Sequence, residues 1–239
     1  MDNQNQILDY LKPVAQESEL DRADFIRKTY THLALAVLAF IVVEALFLNT
    51  PIIVEIGLKM TQGMTWLLVL GGFMFVTSFA TKWASSTTDR SKQYAGLLLY
   101  VLAQAFIFVP LIYIAIAVTG DLTLINQAAL LTFGLFTGLS AVAFLTKKDF
   151  SFLGKIITIG GFIALGLIAA GILFGFNLGL WFSFAMVALA AGSILYQTSN
   201  IIHEYHKEQY VAASLGLFSS LMLLFWYILS IVLRFTSSD

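Results

Sequence analysis

The chain has 239 residues, of which 59% are hydrophobic and only 11% charged. A soluble domain carries about 25% charged residues, so this polar surface is too small for a water-soluble globule and the solvent it implies is lipid. The net charge of −1 and the absence of cysteine speak against a basic nucleic-acid-binding face and exclude disulfides and thiolate metal sites.

The N-terminal stretch is polar, with Glu17, Glu19, Asp21 and Asp24 interleaved with Lys12 and Arg22. A secretory signal needs a basic start, a short apolar run and a small-residue cleavage site, and this stretch lacks that order. It reads as a polar cytoplasmic tail over residues 1–23, followed by a membrane domain over 24–239.

A helix needs about 20 apolar residues to cross a bilayer. Seven stretches qualify, at 30–48, 65–83, 94–118, 124–145, 156–176, 180–202 and 211–234. The expected fold is therefore all-α, a seven-helix transmembrane bundle in the lipid bilayer. The loops are short, so consecutive helices are expected to be antiparallel neighbours in one domain. Pro110 interrupts the third span and is expected to kink it.

Basic residues set the expected orientation. Lys12, Arg22, Arg27, Lys28, Lys82, Arg90, Lys92, Lys147, Lys148, Lys155 and Lys207 fall on one side of the seven spans, which is eleven of the thirteen Lys and Arg; Lys59 and Arg234 fall on the other. Lys and Arg accumulate in cytoplasmic loops. The N-terminus is expected in the cytoplasm and the C-terminus outside.

Glu44 is the only acid well inside a span. Near the outer end of its helix, it reads first as a carboxylate that reaches the interface; the sharper alternative is a proton or cation site. His32 reads as an interfacial hydrogen-bonding residue. His203 and His206, spaced i and i+3 beside Glu204, lack a strong third ligand nearby, so no metal site is assigned. Two pairs of glycines, Gly134/Gly138 and Gly171/Gly175, have the small-xxx-small spacing that lets helix backbones approach.

The end of the sixth span carries four consecutive polar residues, Gln197, Thr198, Ser199 and Asn200. Ser193, Gln197, Asn200 and Glu204 follow a 4-3-4 spacing that puts them on one helical face, and in lipid that face must point inward. Two functions fit: an interhelical hydrogen-bonded clamp, with Ser214, Ser219 and Ser220 of the seventh span as partners, or the lining of an aqueous pathway. The clamp is the plainer of the two. No Gly-x-Ser-x-Gly or His-Glu-x-x-His pattern occurs, so no catalytic residue, metal or cofactor is assigned.

Three segments together resemble one family: Phe25 to Tyr30 entering the first span, Thr146 to Gly154 in the fourth-to-fifth loop, and Ile194 to Ile202. Their order, with seven spans and a basic side, resembles the transmembrane Bax-inhibitor-motif family, and within it the bacterial branch typified by YccA, a modulator of the membrane protease FtsH. The resemblance implies a bundle whose seventh helix is central. It also implies a non-enzymatic inner-membrane protein acting on membrane-protein quality control through FtsH or its membrane regulators. Some family members are acid-sensitive calcium-leak proteins with facing carboxylates on the sixth and seventh spans. Those positions fall here on Gln197 and Ser220, neither of which titrates near neutral pH, so the resemblance does not carry the acid-gated mechanism over. The alternative function is a calcium or proton leak passing Gln197, Asn200 and Ser220.

Overall fold

A computed structural model describes residues 12–86 and 89–237. Among these residues the chain is helical, with no strand beyond one isolated bridge between Pro13 and His206. After a short turn at Val14–Gln16 come eight α-helices: α1 Glu19–Leu48, α2 Pro51–Met60, α3 Met64–Ala84, α4 Arg90–Thr119, α5 Thr123–Thr146, α6 Leu153–Phe174, α7 Gly179–His203 and α8 Tyr210–Thr236. Seven are long and apolar enough to cross a membrane. The exception is α2, a ten-residue helix in a stretch expected to be loop. Pro51 opens it at the first turn, where a missing N–H costs nothing. Its Gly57 lies against Val109 and the Pro110 ring, and α4 continues as helix through Pro110.

Local chemistry sets the helix ends. Ser18 caps α1 by accepting a hydrogen bond from the Asp21 amide at 3.2 Å, and Glu19 and Asp21 supply negative charge to the first turn. The helix thus starts inside the segment expected to be tail, before the 23/24 boundary. Asp89 caps α4 in the same way through the Lys92 amide. The Lys92 and Ser91 amides hold its carboxyl below the usual carboxylate range. Gly120 ends α4 in the left-handed conformation (φ 75°) that suits glycine.

The centre of the bundle is α8. Its Val211, Ala213, Leu217, Phe218, Leu224 and Leu229 are fully buried, and it packs against α1, α3, α4, α5 and α7. The second deeply buried helix is α4, where Phe108 stands edge-on to Phe40 and Trp226 and stacks on Phe225. In contrast, α6 has one buried residue, Ala164. Large side chains such as Phe75, Leu130, Phe133, Phe162 and Trp181 face outward. Every backbone group inside hydrocarbon must be satisfied within its own segment, which a helix achieves and a loop does not.

Not every glycine picked out by spacing brings helices together. At Gly134 and Gly138 an added β-carbon would meet nothing within 4 Å, so that pair makes no close approach. The close contacts are at Gly96, where a β-carbon would lie 2.5 Å from the Ala80 carbonyl and the Ala84 amide, and at Gly154, Gly160 and Gly216.

Candidate functional site

The polar block of the sixth span lies at the C-terminal end of α7, near residues 12–18. The deepest face of α7 carries Ser183, Met186, Ala190, Ile194, Thr198 and Ile201. Ser193, Gln197 and Asn200 sit beside it, half-buried, and Glu204 is exposed. Of the four residues expected on the inward face, Ser193 and Gln197 meet the central α8, Asn200 is half-buried beside them, and Glu204 lies outside at the end of the helix.

Two serines clamp α7 to α8. Ser193 Oγ lies 2.7 Å from Ser220 Oγ, and Ser220 Oγ donates to the Gly216 carbonyl at 3.0 Å. A hydroxyl has one proton, so Ser193 donates to Ser220. Gln197 is not the partner of Ser220. It lies one turn away against Gly216, where a β-carbon would come within 2.6 Å of its Oε1. That oxygen is buried and without a hydrogen-bond partner among the described residues. On the other side of Ser220, Ser219 accepts from the Tyr100 hydroxyl of α4 at 2.7 Å.

The other segments singled out in the sequence meet this block. The Phe150 amide donates to Ser199 Oγ at 2.9 Å, and the Tyr196 ring covers Gly154. Asp149 accepts from the Ser151 amide at 2.8 Å. That bond, reinforced by the Ser151 hydroxyl, by His203 and by Ser199, holds its carboxyl below the usual range. Tyr30 packs against Phe136 and Phe144 of α5. Its hydroxyl is buried, as are those of Ser140 and Thr198, and among the described residues none has a partner at hydrogen-bonding geometry.

Residues 12–18, part of the expected tail, are strapped across the α7–α8 hairpin. The Val14 amide donates to the Tyr205 carbonyl at 2.8 Å, Val14 is buried, and Phe25 packs on the Tyr205 ring. Burial, with a smaller contribution from Tyr196, pushes the Tyr205 hydroxyl up to about 12. Nearby, Arg90 pairs with Glu208 and sits over the Tyr210 ring, and His32 lies between Tyr94 and Tyr210. His203 Nε2 and His206 Nδ1 are buried without partners, and no cluster of three or more metal-binding side chains occurs among the described residues.

Glu44 faces the interior of the bundle. It continues the buried stripe Phe25, Thr29, Leu33, Ala36, Phe40 of α1. It is 4% exposed, and both carboxylate oxygens lack a hydrogen-bond partner among the described residues. The stripe of one buried residue every three or four along α1 is the sequence signal that it faces other helices.

The feature that sequence reasoning missed is a cavity of about 810 Å³ between α3, α4, α6, α7 and α8. Thr61, Asn177 and Arg234 line one end of it and the Tyr100–Ser219 pair the other. Trp66, Phe73, Phe108, Met222 and Trp226 wall it, and the indoles of Trp66 and Trp226 stack with centroids 6.2 Å apart. No single helix shows this space in its sequence, because five helices contribute to it.

Fold and site together define a multi-pass membrane protein with a central seventh span clamped to the sixth. The family model described as inhibitor of apoptosis-promoting Bax1 matches residues 22–238, and the chain belongs to that family. Protein lifeguard 4 of Mus musculus is 28% identical over 220 residues, 90% of this chain and 87% of that protein. The Golgi anti-apoptotic protein of vaccinia virus (strain Lister) is 30% identical over 229 residues, 93% of this chain and 90% of that protein. The modulator of FtsH protease YccA of Escherichia coli (strain K12) is 39% identical over 101 residues, 42% of this chain and 45% of that protein. For this relative and one from Pseudomonas aeruginosa, the matched stretch spans about half of the relative's length.

Proposed function

We propose that this chain is a non-enzymatic protein of the bacterial inner membrane that modulates membrane-protein quality control by associating with FtsH or its membrane regulators. The observation that carries this reading is the closed, uncharged α7–α8 contact. Ser193 meets Ser220 at 2.7 Å and Gln197 fills the notch at Gly216, so neutral side chains occupy the positions where the family's carboxylate pair falls. Two facing carboxylates share a proton and titrate as a pair; an amide and a hydroxyl hold one geometry across that pH range. A fixed bundle suits a protein that acts by contact. The name of the Escherichia coli relative supplies the partner. The distribution of basic residues supports a cytoplasmic N-terminus and a periplasmic C-terminus, which puts the strapped segment on the side where an ATP-driven protease works. Affinity purification in mild detergent tests the association: FtsH or one of its membrane regulators is expected to co-purify, and its absence removes the reading.

A second reading, a calcium or proton leak, is favoured by the cavity, whose end at Ser219 is the neighbour of Ser220. In it Gln197, Asn200 and Ser220 line the narrow part and buried Glu44 is the proton or cation site. Liposomes holding the purified protein test it. Calcium or proton flux above that of empty vesicles, lost in Glu44→Gln, supports a leak; flux equal to that of empty vesicles removes it.

A further inference from the structure

Polar side chains in the cavity wall are buried and unpaired. Gln104 of α4 is 7% exposed and Ser183 of α7 is 3% exposed. Both line the cavity, as does Tyr227 of α8, and among the described residues the polar groups of these three have no hydrogen-bond partner. At one end Ser219 accepts the Tyr100 proton, and its own proton has no acceptor among the described residues. A buried amide or hydroxyl without a partner costs about 1–3 kcal/mol, and a bound molecule that offers hydrogen-bonding oxygen removes that cost. The groups are also uncharged. Among the described residues no Asp, Glu, Lys or His lines the cavity, and Arg234, at the other end, is already engaged. A charged ligand would give up its hydration without gaining a counter-charge. The rest of the wall is largely aromatic: Trp66, Phe73, Phe108 and Trp226 stand in it, and the two indoles lie within 18° of parallel. Water would satisfy the amide and the hydroxyls but would leave these ring faces wet, at about 25 cal/mol for each Å² of apolar surface. A flat ring with oxygen on its rim answers both, stacking by its faces and bonding by its edge. The volume of about 810 Å³ falls in the roughly 300–1,000 Å³ range of sites that bury a small molecule. On one side the cavity is bounded by Ile168 and Ile172 of α6, a helix that packs on α7, touches α3 only lightly and is almost wholly exposed to lipid.

We propose that this cavity is a binding site for the ring of an uncharged quinone. The Gln104 amide donates to one ring carbonyl, the Ser183 or Tyr227 hydroxyl donates to another ring oxygen, and the ring packs on the aromatic wall. The apolar tail of a membrane quinone leaves beside α6 into the bilayer. The site binds and does not react, so no electron transfer is involved. It is independent of any association with FtsH.

Two of the four tryptophans, Trp66 and Trp226, stand in the cavity wall, and quinones quench indole fluorescence on contact. The full chain carrying Trp83→Phe and Trp181→Phe is reconstituted in phosphatidylcholine nanodiscs. It is titrated with decylubiquinone, and separately with duroquinone, which has a ring and no tail. Quenching is expected to saturate with decylubiquinone. Saturation with duroquinone as well would show that the ring alone suffices; saturation with decylubiquinone only would assign the site to a membrane quinone. Gln104→Leu keeps the volume and removes the amide, and should weaken the apparent affinity about tenfold, the loss of one buried hydrogen bond. Ser183→Ala should weaken it in the same direction. Ile172→Phe, which fills the cavity from α6, and Ser230→Phe, which fills it from α8, should each abolish the saturable part. Circular dichroism and gel filtration check every variant, so a misfolded one leaves the others to decide. Quenching that rises linearly with both quinones would show collision from bulk lipid only and overturn the proposal. Saturable quenching that survives Gln104→Leu, Ser183→Ala and both filling variants unchanged would place the quinone elsewhere and overturn it too.

Discussion

The amide of Gln197 lies against Gly216 so closely that a β-carbon on residue 216 would stand 2.6 Å from its Oε1 and 2.9 Å from its Cδ. The contact fixes the register of α7 against the central α8. Its fit depends on glycine having no side chain, while the clashing atoms are the far end of a flexible one. Gly216→Ala should therefore displace the amide at a cost of about 1 kcal/mol, and Gln197→Ala in the same chain should recover most of it, a coupling of the size seen between touching residues. Thermal unfolding of the four variants in detergent measures it; additive losses would mean that the two residues do not meet.

One turn further, the Ser193–Ser220 hydrogen bond spans the same two helices. Polar contacts between membrane helices are worth about 0.6 kcal/mol on average, so a double-alanine cycle at these positions should return a coupling of that order. Ser220→Ala should cost little more, because its donor bond runs back to its own helix at Gly216.

Glu44 combines deep burial with the absence of a hydrogen-bond partner on either oxygen among the described residues. A polar group buried without a partner costs about 1–3 kcal/mol in proteins, and an apolar replacement of similar volume removes that cost. Glu44→Leu is expected to raise the stability of the bundle by about that amount, read as a higher midpoint of unfolding. A lower midpoint would mean that Glu44 is held by contacts that stabilise it.

Alkaline pH should loosen the strap. Burial keeps the Tyr205 hydroxyl protonated up to about 12, whereas an unfolded tyrosine ionises near pH 10. The raised value therefore contributes stability that is fully present below pH 10 and lost as the pH rises from 10 to 12, up to about 2–3 kcal/mol. Tyr205→Phe removes the ionisation, so its unfolding midpoint should fall less across that window than that of the unmodified chain. Parallel decline of the two proteins would place the loss elsewhere.

Much of the bundle was legible in the sequence because lipid makes long apolar runs obligatory: the seven spans from Tyr30 onward all lie on real helices. The helix α2 was not, since ten residues are too few for a span and its packing depends on the distant Val109 and Pro110. The start of α1 was hidden because Glu19, Asp21 and Arg22 interrupt the apolar pattern there; the Ser18 cap with its acidic first turn was the available signal. On α7, polarity pointed to Ser193 and Gln197, which meet α8, but it gave no sign that Ile194 and Ile201 are the residues buried completely beside them. Glycine spacing misled at Gly134 and Gly138 because spacing records which residues share a face and not what that face meets. The cavity had no sequence signal, since its lining comes from helices far apart in the chain.

The central claim is that this membrane protein acts on a protease through contact, with a closed and uncharged α7–α8 junction. It is tested most directly by co-reconstituting the purified chain with FtsH in liposomes and measuring the rate at which FtsH degrades a membrane substrate. The account predicts a rate that differs from that of FtsH alone, while the same vesicles leak no calcium or protons. An unchanged proteolysis rate, together with ion flux above that of vesicles lacking the chain, would contradict it.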